Sequence, residues 1–363
     1  MELEQLKQLK RLANAGAVII AQRPVATLGL HEYQRNDAAL QKITNQLWGK
    51  GKIRELSEFN KVLEKLKMKP DFEVEQDDVL YSYRRVNKDE VYFVSNQKQS
   101  TRQVSARFRV ADKQPELWNP LTGETTNAPN WKALPDGRTE VQLELGPVDS
   151  MFIVFRNPTI SKGKSTPPTK WCQVAPVAGP WTVSFDRMGP DTPIRLEKLM
   201  PLNEHTEEEV KYFSGLASYR NSFKLSRSAI KAGKTMKLDL GQVEVIANVR
   251  LNGVDLGSTW KPPYQVDITK AVKPGKNELE VSVATLMCNR LIGDEHYPDL
   301  LEYTQGSPKR MAAAITPKWL TEGSPLPKTT KRKTLSAFIH ITKDDPLAPS
   351  GLIGPVVILV EDK

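Results

Sequence analysis

Apolar and polar residues alternate most regularly in the second half of the chain. Val245, Ala247, Val249 and Leu251 alternate with Ile246, Asn248 and Arg250, a period of two that turns one face of a strand toward a core. Asn252-Gly253 follows at once, and this dipeptide suits a type I′ turn, which needs positive φ at both central residues. Val254 to Trp260 is then the returning strand, ended by Lys261-Pro262-Pro263 because proline cannot donate ladder hydrogen bonds. Tyr264, Val266 and Ile268 alternate again, Lys273 to Asn277 reads as a turn, and Leu279, Val281 and Val283 alternate once more. Four short strands at a spacing of roughly ten residues predict a sandwich or jelly roll rather than a parallel sheet.

The first seventy residues follow a different period. The spacing predicts a helix to about Ala15, with Gly16 as its C′ residue, and then a short buried strand over Ala17 to Ala21. Asp37, Ala38, Leu40, Ile43, Leu47 and Trp48 predict a second helix, broken by Gly49-Lys50-Gly51, and Leu56 to Leu66 predicts a third. One helix–glycine–strand piece is a fragment of an α/β fold, since it cannot bury both faces of a sheet. From Phe72 the pattern turns to β. VLYSYRRV, EVYFVSN, VSARFRV, ELWN, EVQLEL and SMFIVF are short runs separated by turn residues and predict a small antiparallel sandwich. The stretch PTISKGKSTPPTK carries no periodicity and reads as a linker. The fold class is therefore mainly β, with two β-sandwich domains preceded by a partial α/β segment. The predicted boundaries are 1–70, 71–157, a linker at 158–172, and 173–363.

Composition narrows this picture modestly. At 363 residues, 39% of them hydrophobic, the chain holds enough apolar mass for two or three cores. A formal net charge of +9 raises the question of nucleic acid. The cations are interleaved with acids, however, and no basic run exceeds Lys331-Arg332-Lys333, so no nucleic-acid partner is expected. The charged N-terminus MELEQLKQLKRL has no apolar h-region and reads as neither signal peptide nor membrane anchor. Cys172 and Cys288 form no CxxC pair and read as buried thiols, with a disulfide between them left open.

Specific motifs then point to a family. SGLASYRNSF, LDLG, VRLNGVDLGSTWKPPYQVDIT, PGKNELEVSV and NRLIGDE resemble the galactose-binding-like jelly roll of large glycoside hydrolases. A related sugar-binding domain occurs in family 2. The pairing of GSTWKPPYQVDIT with NRLIGDE most resembles the C-terminal region of glycoside hydrolase family 106, the α-L-rhamnosidases and their relatives. VYFVSNQ, PELWNPLTGE and DDPLAPSGLIGPVVIL resemble that region in the same order, so the likeness runs along nearly the whole chain. It implies that residues 1–70 are the C-terminal remnant of an amidotransferase-like α/β domain that follows a catalytic barrel. It also implies that the barrel is missing here, as in a truncated or split gene product. Carbohydrate and that barrel would be the partners, and the intact parent would be periplasmic or secreted; this chain's own location is open.

Candidate chemistry is sparse. There is no GxSxG elbow, GxGxxG loop or HExxH helix, and the four histidines, His31, His205, His296 and His340, show no ligand spacing. Glycoside cleavage commonly uses two carboxyl groups flanking the scissile bond. The family's catalytic acids lie on its barrel, so no catalytic residue can be assigned to a position here. One loop collects polar chemistry: Asn289, Arg290, Asp294 and Glu295, with His296 and Tyr297, after the strand ending at Ala284. Arg and carboxylates can grip vicinal sugar hydroxyls; equally, Arg290 can pair with Asp294 or Glu295 and brace the loop against another domain. Trp260 and Tyr264 can form an aromatic platform for a sugar, or serve as core or interface groups. Trp181 and Phe185 read as jelly-roll core, and Trp118 and Trp131 as the cover of the small sandwich. Asp186, Asp191 and Glu197 can offer oxygen ligands to calcium, though without EF-hand spacing; no other cofactor is indicated. Three readings stay open: the non-catalytic part of a family 106-like hydrolase, a free-standing carbohydrate-binding protein, and an enzyme whose acids lie within the chain.

Overall fold

The computed structural model describes residues 1–29, 31–167, 169–230, 233–298, 300, 302–303, 314–324, 331–334 and 341–362. It divides into two compact units: Met1–Val94, Gln103–Leu143 and Met151–Lys164 in the first, and Ser95–Arg102, Glu144–Ser150 and Ser165–Lys363 in the second. Strand accounts for 39% of the chain and helix for 17%, so the fold is mainly β.

In the first unit, helix α1 (Leu3–Asn14) begins at a capping box between Glu2 and Gln5 and buries Leu6. It closes as the C′ reading predicts: Gly16 N donates to Ala13 O at 3.2 Å and Ala17 N to Leu12 O at 3.0 Å. Ile19–Ile20 pairs in parallel with Ile53–Arg54 across helix α2 (Tyr33–Leu47). Leu6, Leu40, Leu47, Trp48 and Ile53 form the small core of this segment. The Ile19–Ile20 strand is half-buried rather than buried, because a two-strand sheet leaves part of each face open. Leu56 to Leu66 is a 3-10 turn, Leu56–Glu58, followed by helix α3 (Phe59–Lys65), rather than one helix.

The six predicted β runs all form strands. One sheet runs Gly163–Lys164, Trp131–Ala133, Thr139–Leu145, Arg102–Phe108, Phe72–Glu73; the other runs Val79–Val86, Asp89–Asn96, Ser150–Pro158, Lys113–Trp118, Thr125–Asn127. Aromatic contacts join them: the Phe108 ring lies 4.9 Å from Tyr92 and 5.4 Å from Phe155. The Pro- and Ser-rich stretch read as a linker is flanked by pairing, since Gly163–Lys164 joins Trp131–Ala133 and Lys170–Pro176 joins the last strand. Edge strands tolerate proline and polar residues, which hid them from a periodicity reading.

Glu116 is the most enclosed carboxylate of this sandwich. It is 3% exposed and receives Trp118 Nε1 at 3.0 Å, Asn157 Nδ2 at 2.6 Å and Arg156 Nε at 3.0 Å. Burial alone would raise its pKa; the hydrogen bonds from Arg156 and Trp118, the Arg156 charge and Asn157 outweigh it and hold the carboxyl below its ordinary value. Glu116→Gln is therefore expected to cost about 1–3 kcal/mol at pH 7. Because the folded pKa lies below the unfolded one, near 4.3, this contribution is present above that pH and disappears as pH falls through the folded value. Urea unfolding curves of variant and parent should differ at pH 7 and converge in acid; a gap that persists in acid would show that the carboxylate charge is not what stabilises.

The second unit is a sandwich of a four-stranded and a six-stranded sheet. The first runs Lys170–Pro176, Val357–Asp362, Met236–Asp239, Gln265–Asp267. The second runs Ile194–Leu196, Trp181–Phe185, Leu216–Leu225, Gly275–Ala284, Ile246–Leu251, Val254–Thr259. Trp181, Tyr219, Leu238, Val249, Val281 and Ile358 are among the buried residues between them. The predicted hairpin is present, with Asn252 at φ 52° and Gly253 at φ 83°. The Tyr219 hydroxyl, fully buried, accepts from Leu352 N at 3.1 Å and fastens the closing segment to the sheet. Among the described residues no helix is long and apolar enough to cross a membrane.

Candidate functional site

The segment read as the NRLIGDEH loop is a helix, α5 (Cys288–Asp294). Its buried face carries Asn289, Arg290, Ile292, Gly293 and Asp294, so the polar groups point inward and the usual pattern is inverted. Packing forces that choice at Gly293, where an added Cβ would lie 2.6 Å from the Tyr212 side chain. The missed signal was the i,i+4 spacing of Arg290 and Asp294, which places opposite charges one above the other on a helix.

Each polar group of α5 has a defined task. Asn289 grips one backbone position twice, donating from Nδ2 to Ala348 O at 2.7 Å and accepting from Ala348 N at 2.9 Å. Arg290 Nη2 pairs with Asp294 at 2.9 Å, and its side chain is 5% exposed against 1% for Asp294. The Asp294 carboxylate also accepts from Lys333 N at 3.2 Å, Thr334 N at 2.7 Å and Thr334 Oγ1 at 2.6 Å. Glu295 pairs with Arg332 at 3.1 Å, while Arg332 donates from Nη2 to Tyr297 O at 2.8 Å and from Nε to Pro298 O at 2.9 Å. A short strap, residues 331–334, is thereby fastened to the helix by charge-assisted bonds. Sequence reading had noted Lys331-Arg332-Lys333 only as the longest basic run.

A cavity of about 530 Å³ opens beside this brace, lined by Glu208, Glu209, Tyr212, Arg290, Tyr297 and the strap's three basic residues. Helix α4 (Glu208–Lys211) supplies the two acids. Tyr212 is steadied at its hydroxyl by His296 Nε2, 3.2 Å away, and the two rings lie 5.5 Å apart. Lys333 Nζ donates to Met188 O at 3.1 Å and lies 3.4 Å from Glu209.

Trp260 and Tyr264 stand elsewhere. No hydrogen bond, ion pair or ring contact among the described residues joins either to α5. Trp260 is 56% exposed, so the core reading of that side chain fails: it follows an edge strand and has no second sheet over it. Tyr264 is half-buried against the core, and burial, with Glu244 nearby, pushes its phenol up. Between them Lys261 pairs with Asp149 inside the same unit. Both cysteines are free, and Cys172 is exposed rather than buried, as an edge-strand position allows. Asp186 accepts from Leu216 N at 2.9 Å and Glu197 pairs with Arg195 at 2.8 Å. His340 lies outside the described residues.

Residues 1–132 match the family model of the alpha-L-rhamnosidases, glycoside hydrolase family 106, and residues 198–314 match the glycosyl hydrolase 2 galactose-binding domain-like model. A solved rhamnosidase from Novosphingobium sp. PP1Y resembles the chain with a TM-score of 0.78 and 32% identity, over 99% of this chain and 32% of that one. The chain's relatives are glycoside hydrolases. A putative beta-glucuronidase of Formosa agariphila is 23% identical over 98% of this chain and 49% of its own length. The rhamnosidase-like chain thus spans about a third of the solved relative and half of the curated one.

Proposed function

We propose that this chain is the non-catalytic C-terminal part of an α-L-rhamnosidase-like glycoside hydrolase that acts on plant or microbial polysaccharide, with the catalytic barrel outside it. On this reading residues 1–70 belong to an α/β domain remnant, 71–157 to a small sandwich and 173–363 to the jelly roll. The partners are carbohydrate and the barrel, and the parent is periplasmic or secreted. The observation that carries the reading is the reach of the likeness, 99% of this chain against 32% of the rhamnosidase. The local chemistry agrees, because Asp294 and Glu295 are both engaged by cations of the brace and do not form an open carboxyl pair. The chain alone is expected to release no aryl group from an aryl α-L-rhamnoside; turnover above a heat-killed control would sink the reading. A free-standing carbohydrate-binding protein is the second reading, favoured by the exposed Trp260 at the turn into Lys261-Pro262-Pro263. It requires that calorimetry detect binding of rhamnose-containing pectic glycans and that Trp260→Ala abolish it.

A further inference from the structure

We propose that the cavity beside α5 is a subsite for one neutral pyranose, gripped by Arg290, Lys331 and Glu208 and stacked on Tyr212. The proposal rests on the carbohydrate reading above and adds a place and a sugar class to it. Three observations carry it together.

The first is an uncommitted donor inside a lining residue. Arg290 is 4% exposed, and its Nε has no hydrogen-bond partner among the described residues, although Nη2 is held by Asp294. A buried guanidinium donor left empty is costly, and an acceptor brought by a ligand would remove that cost. The second is what else remains free in the lining. Lys331 and the Glu208 carboxylate are exposed and without a partner among the described residues, whereas Arg332, Lys333 and Glu209 are already paired. A sugar hydroxyl both donates and accepts, so a wall offering an ammonium, a guanidinium N–H and a carboxylate can read neighbouring hydroxyls. The Tyr212 ring, held by His296 and with the Arg290 guanidinium 6.0 Å from its centroid, offers a face for the C–H side of a pyranose.

The third is charge, which decides between a neutral and an acidic sugar. Arg290, Lys331, Arg332 and Lys333 are set against Glu208, Glu209 and the two carboxylates behind the wall, Asp294 and Glu295. Four cations facing four anions leave no surplus to attract a uronate. The volume of about 530 Å³ leaves room for one ring and its water. The brace also fixes the geometry before binding, since the strap that forms one wall is tied to Asp294 and Glu295.

The test uses the full chain, titrated by calorimetry with methyl α-L-rhamnoside, methyl α-D-glucoside and D-glucuronate. In parallel, NMR follows the Arg290 Nε–H resonance, assigned through Arg290→Lys. Saturable binding of a neutral glycoside with a Kd on the order of a millimolar is expected, with a shift of that resonance. Glu208→Gln and Lys331→Ala, both at exposed positions, should each weaken it about tenfold, the loss of one charge-assisted hydrogen bond. The proposal is overturned by an unmoved Arg290 resonance, by affinity unchanged in both variants, or by tighter binding of glucuronate. Hydrolysis of an aryl rhamnoside would overturn the non-catalytic reading and leave the subsite untouched, so the two can fail separately.

Discussion

Asp294→Ala is expected to destabilise the second unit by about 3–5 kcal/mol, the range for breaking a buried ion pair from one side. The cost comes from what is left behind. Arg290, with a side chain 5% exposed, would keep its charge with no carboxylate at 2.9 Å, and the two amides and one hydroxyl of Lys333 and Thr334 would lose their acceptor. Those amides sit in a short strap and can turn toward water, so the guanidinium dominates the loss. Asp294→Asn separates the terms, because it keeps an acceptor oxygen for Thr334 and removes the charge facing Arg290. It should fall between parent and alanine variant. Replacing both partners, Arg290→Met with Asp294→Leu, should recover much of the loss, since no buried charge then remains unpaired. Urea midpoints at constant m-value measure all four proteins. An alanine variant within about 1 kcal/mol of the parent would mean that the pair is solvated and the brace does not exist as described.

That pair also shows where the sequence was readable and where it was not. The hairpin at Asn252-Gly253 was legible because its signals are local: alternation fixes the strands, and the dipeptide fixes the turn. The α1 cap, Gly16, was legible for the same reason. Helix α5 was not, because Asn289, Arg290 and Asp294 lie on its buried face and Leu291 lies only half-buried, which reverses the usual sorting. Only the partners explain such a face, and these are Ser214, Ala348 and Thr334, 40 to 76 residues away in sequence. The aromatic residues divide similarly. Trp181 was placed in the core by its strand pattern, whereas Trp260 lies at the end of an edge strand, a position that is known only once strand order is known. The candidate site was thus half legible: its charged residues were named, but the strap and the Tyr212 wall that make a cavity of them were not.

Gly241→Ala should cost about 2–5 kcal/mol, clearly more than Gly253→Ala at the hairpin, and the contrast separates backbone strain from a steric block. Both glycines have positive φ, +66° and +83°. For an L-residue that conformation costs roughly 1–2 kcal/mol, which is the whole effect expected at Gly253, where nothing lies within 4 Å of an added Cβ. At Gly241 the added methyl would also lie 2.4 Å from Gly354 C, 2.5 Å from Gly354 O and 2.6 Å from Pro355 O. All three are main-chain atoms of the closing segment, so no side chain can swing away. Gly241 bridges Gly354 directly, and Gln242–Glu244 pairs with Gly351–Gly354 just beyond. Room for the methyl must therefore come from pulling these strands apart, an overpacking term of about 1–3 kcal/mol on top of the strain. The closing segment also carries Leu352 N to the buried Tyr219 hydroxyl, which resists that movement. Urea unfolding of the two alanine variants side by side decides it: equal losses would mean that the closing segment yields, and that the crossing of Gly241 and Gly354 is not what holds the last strand in place.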